Sequence, residues 1–188
     1  MNSFAVAAML MSAAAQHLVE GNPGATVRVI IYEDLQCPDC AAFRRMLDEK
    51  LLPRHGAKVA FEHRDFPLAK HSWARKAAIA ARFFQEISPE VALAFRKQVL
   101  LDLRQITVAN FNERVAAFAK QHGADPRKAL AALEEARYAA LVDNDVQEGV
   151  ARGVAKTPTV FVDGVPFIET FTFEEFSKAI DAAVAAAK

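Results

Sequence analysis

A short, almost wholly apolar run followed closely by two cysteines limits the folds open to this chain more than any other feature. Residues 27–32 read Val-Arg-Val-Ile-Ile-Tyr, which is typical of a strand buried on both faces of a sheet. Cys-Pro-Asp-Cys follows at residues 37–40, and residues 41–47 then have helical apolar spacing. Pro38 suits the first turn of a helix, where its missing N–H would have no partner. The cysteines are therefore predicted to lie at a strand-to-helix turn, with Cys37 at or just before the helix start.

The rest of the chain continues in an α/β order. Three more segments have the composition or alternation of strands: residues 59–63, 159–162 and 165–168. Asp163-Gly164 joins the last two, and this dipeptide is a strong signal for a tight β-hairpin. From about residue 68 to residue 154 the apolar spacing is helical, and Thr172 and Glu175 form a capping box before a last helix.

This order predicts an α/β protein with a thioredoxin fold, βαβ…ββα, and an inserted all-helical subdomain. The first βαβ unit needs a right-handed crossover, so the sheet starts parallel and gains an antiparallel hairpin at its end. We expect one thioredoxin-like domain over residues 25–187, with the helical insertion at about residues 69–153.

Residues 1–24 precede this domain, and the turn cluster at residues 21–24 separates them from it. We expect an N-terminal helix or the remnant of an export segment. The apolar face of such a helix would consist of Phe4, Ala8, Met11 and Leu18. An intact secretory signal is the alternative, because residues 4–15 have the length of a signal core, but no Lys or Arg precedes them.

Composition and charge disfavour several classes of protein. The 188 residues include 23 basic and 23 acidic side chains, so the formal net charge is zero, and no basic stripe points to nucleic acid. No apolar run reaches the roughly 18 residues that a membrane-spanning helix needs. The 2 cysteines are too few for a secreted disulfide scaffold, and they are too close together to restrict the unfolded chain.

The cysteine pair could instead belong to a metal site or be two inert core residues. Structural zinc needs four ligands, and the chain has no second cysteine pair. His55, His63 and His71 are too widely spaced for histidines that share a zinc ion. We therefore predict no metal and no other cofactor. Buried cysteine is common, but a pair at a strand-to-helix turn is not, which disfavours the inert alternative.

A helix start is a place where cysteine becomes reactive. Only the thiolate attacks disulfides, and a free cysteine has a pKa of about 8.5. Unpaired backbone N–H groups and the positive end of the helix dipole favour a negative sulfur at Cys37. Cys40, one turn further on, would be more enclosed yet within reach of that sulfur. We therefore predict that Cys37 attacks to form a mixed disulfide and that Cys40 resolves it.

Thr157-Pro158 directly precedes the predicted strand at residues 159–162. Proline cannot donate to a strand ladder, so one interpretation is simply a strand start. The other is a cis peptide bond, which is uncommon and usually serves a tight geometry. In that case the backbone of Thr157 would lie beside the cysteines and could pair with an extended substrate.

Three segments together resemble the DsbA-like branch of the thioredoxin superfamily. They are residues 32–40 with the cysteine pair, Asp-Phe-Pro-Leu at residues 65–68, and Gly-Val-Ala-Lys-Thr-Pro-Thr-Val-Phe-Val-Asp-Gly at residues 153–164. The resemblance covers about residues 20–187. It implies a redox-active Cys37–Cys40 disulfide, a cis-Pro158 beside it, and an extracytoplasmic role in oxidising or reshuffling disulfides of other proteins.

The chain departs from the family pattern near the cysteines. Many thioredoxins bury an acid six positions before the first cysteine, where this chain has Ile31. Glu33, Asp34 or water would then accept the proton of the second cysteine. Strongly oxidising relatives have histidine where this chain has Asp39. A carboxylate there disfavours the thiolate, so Pro38 and Asp39 are expected to modulate the site and to lower its oxidising power.

Other departures and side chains are given structural interpretations. The stretch after Ile168 lacks the glycine often seen before the last helix in the family, and it carries Phe171 and Phe173. We expect both in the core, and the alternative is that they line a substrate groove. His63 is predicted to be a core histidine with satisfied hydrogen bonds. Arg44 and its neighbour Arg45 are predicted to be exposed charges.

The sequence thus predicts a protein disulfide oxidoreductase of oxidase or isomerase type. Its partners would be cysteine-containing proteins and a redox partner, either soluble or in a membrane, and we expect a monomer. The periplasm or another extracytoplasmic compartment is favoured over the cytoplasm. Two alternatives stay open: a reductase kept reduced by a partner, and a chaperone-like binding protein with an incidental cysteine pair. Replacing Cys37 by serine would leave only the chaperone-like binding protein functional.

Overall fold

The computed structural model describes residues 17–187, and five strands within that range form one mixed sheet. The strands are β1 (Leu18–Gly21), β2 (Val27–Glu33), β3 (Val59–Asp65), β4 (Thr159–Val162) and β5 (Val165–Ile168). Their order across the sheet is β1-β3-β2-β4-β5. Only β2 and β3 are parallel, and the other neighbours are antiparallel. This arrangement confirms the predicted parallel start and antiparallel hairpin end.

Strand β2 lies at the centre of the sheet, as its apolar composition predicts. Val27 lies opposite Val59 on β3, and Ile31 lies opposite Val160 on β4. Val29 and Ile31 are completely buried on one face, and Tyr32 is completely buried on the other. The chain therefore leaves the middle of the sheet at the point where the cysteines follow.

The helices fall into two groups around this sheet. Along the chain they are α1 (Pro38–Met46), which continues through a π-helical turn (Leu47–Leu51) into α2 (Leu52–His55), then α3 (Ala74–Ile87), α4 (Pro89–Leu101), a 3₁₀ turn (Leu103–Gln105), α5 (Phe111–Gln121), α6 (Pro126–Ala132), α7 (Ala136–Ala151) and α8 (Phe173–Ala186). Helices α3 to α7 all come between β3 and β4 along the chain. The predicted thioredoxin fold with helices inserted between its halves is confirmed. None of the helices between residues 17 and 187 is both long enough and apolar enough to span a bilayer.

Two large apolar cores, and a small third one around Tyr32 and Phe66, hold these layers together. The first lies between the sheet and helices α1 and α8, where Phe43 and Phe176 make an edge-to-face contact. Phe171 and Phe173 are half-buried and pack against it, as predicted, and Phe171 also lines a cavity of about 100 Å³. The second core lies among the inserted helices, where Phe84, Phe95 and Phe118 pack together.

The N-terminal prediction needs correction at Leu18. Leu18 is 3% exposed and begins β1, where it lies opposite His63 of β3, so it is not part of a helical face. The strand is only four residues long, too short for a clear alternation in the sequence. The other residues proposed for that face, Phe4, Ala8 and Met11, lie outside the described residues.

The expectation for Arg44 is also wrong, because this side chain is 2% exposed. It contacts Glu20 of β1 in an ion pair and donates to Asp48 at 2.6 Å. Glu20 in turn accepts a hydrogen bond from His63 at 2.8 Å, and the other ring nitrogen of His63 lies 2.8 Å from Glu33. His63 is therefore a satisfied core histidine, as predicted, within a buried ionic network.

This network also joins the inserted helices to the sheet. Arg96 of α4 donates to Glu33 at 2.9 Å and contacts Asp65 at the end of β3. Arg82 of α3 donates to Asp65 at 2.6 Å and contacts Asp145 of α7. Each of these charges is nearly excluded from water, so each depends on its partner to offset the free energy of desolvation.

Candidate active site

The turn after β2 places Cys37 at the start of α1. Cys37 has extended backbone angles (φ −87°, ψ 126°), and its carbonyl accepts the N–H of Ala41 at 3.1 Å. Pro38 occupies the first helical position. The Cys37 N–H donates back to the carbonyl of Asp34 at 3.0 Å, which closes the turn. The predicted position of the cysteines at a strand-to-helix turn is confirmed.

Asp34 ties this turn to the segment after β3. One carboxylate oxygen accepts the N–H of Gln36 at 2.7 Å. The other accepts the N–H of Leu68 at 2.8 Å and lies 2.7 Å from Nδ1 of His71. Both oxygens of this buried carboxylate are therefore used to hold the loops beside the cysteines.

The loop before β4 reaches the same place from the other end of the chain. The Thr157–Pro158 peptide bond is cis, which is the second of the two interpretations of this segment given above. The Cys37 thiol donates to the carbonyl of Thr157 at 3.2 Å. Thr157 is 2% exposed, and its hydroxyl has no hydrogen-bond partner. The structure thus brings together the four residues singled out in the sequence: Cys37, Cys40, Thr157 and Pro158.

Contacts at the helix start lower the pKa of Cys37 from an ordinary 9.0 to about 6. The largest cause is a hydrogen bond from the Cys40 thiol, and burial opposes it. The Thr157 side chain and the backbone N–H groups of Asp39 and Cys40 lower the pKa further. The buried Thr157 hydroxyl has no other hydrogen-bond partner, so it is available to stabilise the thiolate.

The pKa of the second cysteine, Cys40, shifts in the opposite direction. Burial raises the pKa of Cys40 well above its ordinary value, and Cys37 and the negative charge of Glu33 act in the same direction. The backbone N–H of Asp34, 3.4 Å from the Cys40 sulfur, opposes this only in part. Both cysteines carry free thiols here, and Cys40 keeps its proton and donates it toward Cys37.

Glu33 stays ionised beneath this pair. Burial alone would raise the pKa of Glu33, but His63 and Arg96 hold it below the ordinary value. The sequence identified Glu33 as one possible proton acceptor, but it gave no sign of these two cations. His63 and Arg96 lie 30 and 63 positions away along the chain, so only the fold brings them there.

A cavity of about 360 Å³ opens beside Cys37. It is lined by Cys37, Asp39, Leu68, Ala69, Lys70, Ala155, Lys156, Thr157 and Glu169. Sequence reasoning did not identify Lys70, Lys156 or Glu169, because each is an ordinary surface residue in its local pattern. Within the described part of the chain, the group of acidic and histidine side chains close enough to share a cation is His17, Asp145 and Glu148, and it includes neither cysteine.

One acidic thiol and one retained thiol, side by side at a helix start, define a thiol–disulfide oxidoreductase. Comparison with known families agrees, since the family model described as thioredoxin matches residues 13–182. The chain belongs to the thioredoxin family. A search of the curated proteins finds no match.

Solved structures with the same fold are DsbA-like proteins, as the resemblance implied. α-DsbA1 from Wolbachia pipientis has 20% sequence identity and a TM-score of 0.79, with 92% of each chain covered. BdbD from Bacillus subtilis has 20% identity and a TM-score of 0.76, covering 90% of this chain and 93% of its own. ScsC from Proteus mirabilis has 17% identity and a TM-score of 0.71, covering 92% of this chain and 74% of its own.

Proposed function

We propose that this oxidoreductase forms or exchanges disulfides in other proteins, with Cys37 as the attacking sulfur and Cys40 as the resolving one. The observation that carries the proposal is the position of Cys37 at the start of α1, where its sulfur lies 3.2 Å from the carbonyl of Thr157. Contacts there, with the Cys40 thiol first, lower the pKa of Cys37 to about 6, so it is chiefly a thiolate at neutral pH. Cys40 is 1% exposed and keeps its proton, so a substrate would reach Cys37 first.

Oxidation of a substrate runs this exchange in reverse: it starts from the disulfide form of the pair, and Cys37 is then the sulfur that is attacked and later released. A substrate thiolate attacks the Cys37 sulfur, so one S–S bond forms and the Cys37–Cys40 bond breaks. A second substrate thiolate then attacks the substrate sulfur of this mixed disulfide and releases Cys37 as a thiolate. Two electrons pass from the substrate dithiol to the cysteine pair, Cys40 takes up one proton, and the other goes to solvent.

The loop with the cis peptide bond is the proposed substrate-binding element. The carbonyl of Thr157 faces the reacting sulfur at 3.2 Å, and regular pairing of β4 begins only at Thr159. An extended substrate could therefore run beside Thr157 and Pro158 while its cysteine meets Cys37. Pro38 and Asp39, between the two cysteines, would tune the site.

The reduction potential should lie between those of thioredoxin and DsbA, about −270 and −120 mV. A lower thiol pKa stabilises the reduced form, and a pKa of about 6 lies between the thioredoxin and DsbA values of about 7 and 3.5. Redox titration against glutathione measures this directly. A potential at or above the DsbA end would show that Asp39 does not reduce the oxidising power.

The compartment and the partners are proposed on the family resemblance, and a monomeric state is proposed with them. We place the protein in the periplasm or another extracytoplasmic compartment, acting as a monomer on cysteine-containing proteins. A separate redox partner would return the cysteine pair to the oxidation state in which it reacts with substrates. A potential near the thioredoxin end would instead favour a reductase kept reduced by that partner.

Two assays with matched variants test the proposal. Wild-type protein should reoxidise and refold reduced ribonuclease, or reduce insulin, depending on the direction of electron flow. Cys37→Ser should abolish turnover, and Cys40→Ser should trap mixed disulfides with substrates. If Cys37→Ser retains full function, the protein acts as a binding protein and the cysteine pair is incidental.

A further inference from the structure

The buried carboxylate of Glu33 lies under the start of α1. Side chains alternate along a strand, so Glu33 shares one face of β2 with Val29 and Ile31. That face packs against α1, whose Phe43 belongs to the same apolar core. The residue that follows Glu33 points its backbone N–H at the Cys40 sulfur, 3.4 Å away. Glu33 is therefore next to the resolving cysteine, and both side chains are almost completely excluded from water.

The contacts of Glu33 keep it ionised. One carboxylate oxygen lies 2.8 Å from Nδ1 of His63 and accepts a hydrogen bond from Arg96 at 2.9 Å. Burial lowers the pKa of His63, but Glu33 and Glu20 outweigh it and raise that pKa, so the ring carries a positive charge. Burial likewise raises the pKa of Glu33, but His63, Arg96 and the more distant Arg44 hold it below the ordinary value. A carboxylate held ionised in this way is a poor acceptor for the proton of a thiol.

The charge of Glu33 acts instead on Cys40. Cys40 must lose its proton before it can resolve a mixed disulfide, because only the thiolate attacks. Burial raises the pKa of Cys40, and both Cys37 and the charge of Glu33 raise it further. In a mixed disulfide the Cys37 sulfur is no longer an anion, so burial and Glu33 are left to hold the Cys40 proton. The first attack is therefore favoured by the site, whereas the second is opposed by it.

We propose that the Glu33 carboxylate delays the resolving attack of Cys40, so that mixed disulfides persist until a second substrate thiol reacts. The inference rests on the proposed function, because it concerns the order of attacks at Cys37 and Cys40. In the resolving step the Cys40 proton goes to solvent and the thiolate attacks the Cys37 sulfur. The Cys37–Cys40 bond forms, the bond from Cys37 to the substrate breaks, and the substrate leaves as a thiolate. A delay in this step favours the formation and exchange of disulfides over their reduction.

A single-turnover reaction with a cysteine peptide measures the delay. The Cys37 thiolate attacks the 2-pyridyl disulfide of the peptide, forms the mixed disulfide and releases 2-thiopyridone, which is followed by absorbance. Samples quenched with acid then show, by mass, how fast the mixed disulfide decays. The Cys40→Ser protein cannot resolve it and sets the baseline.

Replacing Glu33 with glutamine gives opposite results for the two roles open to this residue. If its charge delays Cys40, the mixed disulfide of the Glu33→Gln protein should decay about three- to tenfold faster at pH 7. The gain is moderate because a less basic thiolate is also a weaker nucleophile. If Glu33 accepts the Cys40 proton, the decay should become slower; slower or unchanged decay overturns the inference. Asp145→Asn is the matched control, because it removes another carboxylate of the same ionic network, also 4% exposed, on α7, and it should leave the decay unchanged.

Two measurements keep the test independent of the stability of the single variant. Glu33→Gln combined with His63→Gln removes one buried charge of each sign, so Arg96 and Glu20 each keep their other ion pair, and the decay should again be faster. In the unaltered protein the decay should accelerate about tenfold per pH unit between about pH 6 and 8, because the Cys40 proton is lost to solvent. A rate independent of pH over this range would mean that an internal base takes the proton, which overturns the inference.

Failure of this inference differs from failure of the proposed function. If mixed disulfides form at Cys37 but the Glu33→Gln protein resolves them no faster, only the delay is wrong. If Cys37 reacts with the peptide no faster than free cysteine does, the proposed function is wrong and the inference fails with it.

Discussion

Replacing Cys40 with alanine tests what makes Cys37 acidic. The Cys40 thiol provides the largest of the contacts that lower the Cys37 pKa from 9.0 to about 6. Alanine removes that hydrogen bond, but it leaves the Thr157 hydroxyl and the backbone N–H groups of the helix start in place. The pKa of Cys37 in the Cys40→Ala protein should therefore rise to roughly 7 to 8, without reaching that of a free thiol.

The size of the effect follows from the fraction of thiolate. With a pKa of about 6, about nine tenths of Cys37 is ionised at pH 7. With a pKa of roughly 7 to 8, that fraction falls to between about one half and one tenth. Because folding lowers this pKa, the dithiol protein gains stability as the pH rises above about 6 and loses that gain when it is acidified through 6.

The assay is the rate of alkylation by iodoacetamide as a function of pH, with thiolate absorbance near 240 nm as a second reading. Cys40→Ser is the matched control, because a serine hydroxyl can still donate to the sulfur and should keep the midpoint closer to that of the unaltered protein. An identical midpoint in the alanine variant would refute the role given to Cys40. A midpoint near 9 in the unaltered protein would refute the account of the whole site.

Two further substitutions test the surroundings of the cysteines. Thr157→Val removes the buried hydroxyl with little change of shape, so the pKa of Cys37 should rise in the same alkylation assay, and an unchanged midpoint would contradict that role. Arg96→Met leaves Glu33 and Asp65 each short of a buried cation, so urea unfolding should show a loss of about 3–5 kcal/mol. Arg75→Met, which removes an exposed partner of Asp143, should cost less than about 1 kcal/mol; equal losses in the two variants would be inconsistent with the network.

Much of the fold and the centre of the site could be predicted because their signals are local. The apolar run of β2, the cysteines with Pro38, the Asp163-Gly164 hairpin and the capping box at Thr172 each act within a few residues of the chain. Each specifies a conformation by its own steric or hydrogen-bonding requirements. The family resemblance then supplied the relation between Cys37 and the loop at Pro158.

The remaining features depend on contacts between distant segments. Arg44 was expected at the surface because nothing near it in sequence shows that Glu20 will lie beside it. The carboxylate of Glu33 acquires its two cations from β3 and α4 only when the sheet and the insertion have packed. Glu169 was missed because only the fold brings this surface residue to the cavity beside Cys37.

The buried charges between sheet and insertion have a consequence for protein engineering. A short linker in place of residues 69–153 would take away the guanidinium groups of Arg82 and Arg96 together. Glu33 and Asp65 would keep their places in the strands but lose these counter-charges. The inserted helices therefore cannot simply be deleted. A minimal redox domain cut from this chain would need a neutral side chain at Asp65, whereas Glu33 would still have His63 of β3 beside it.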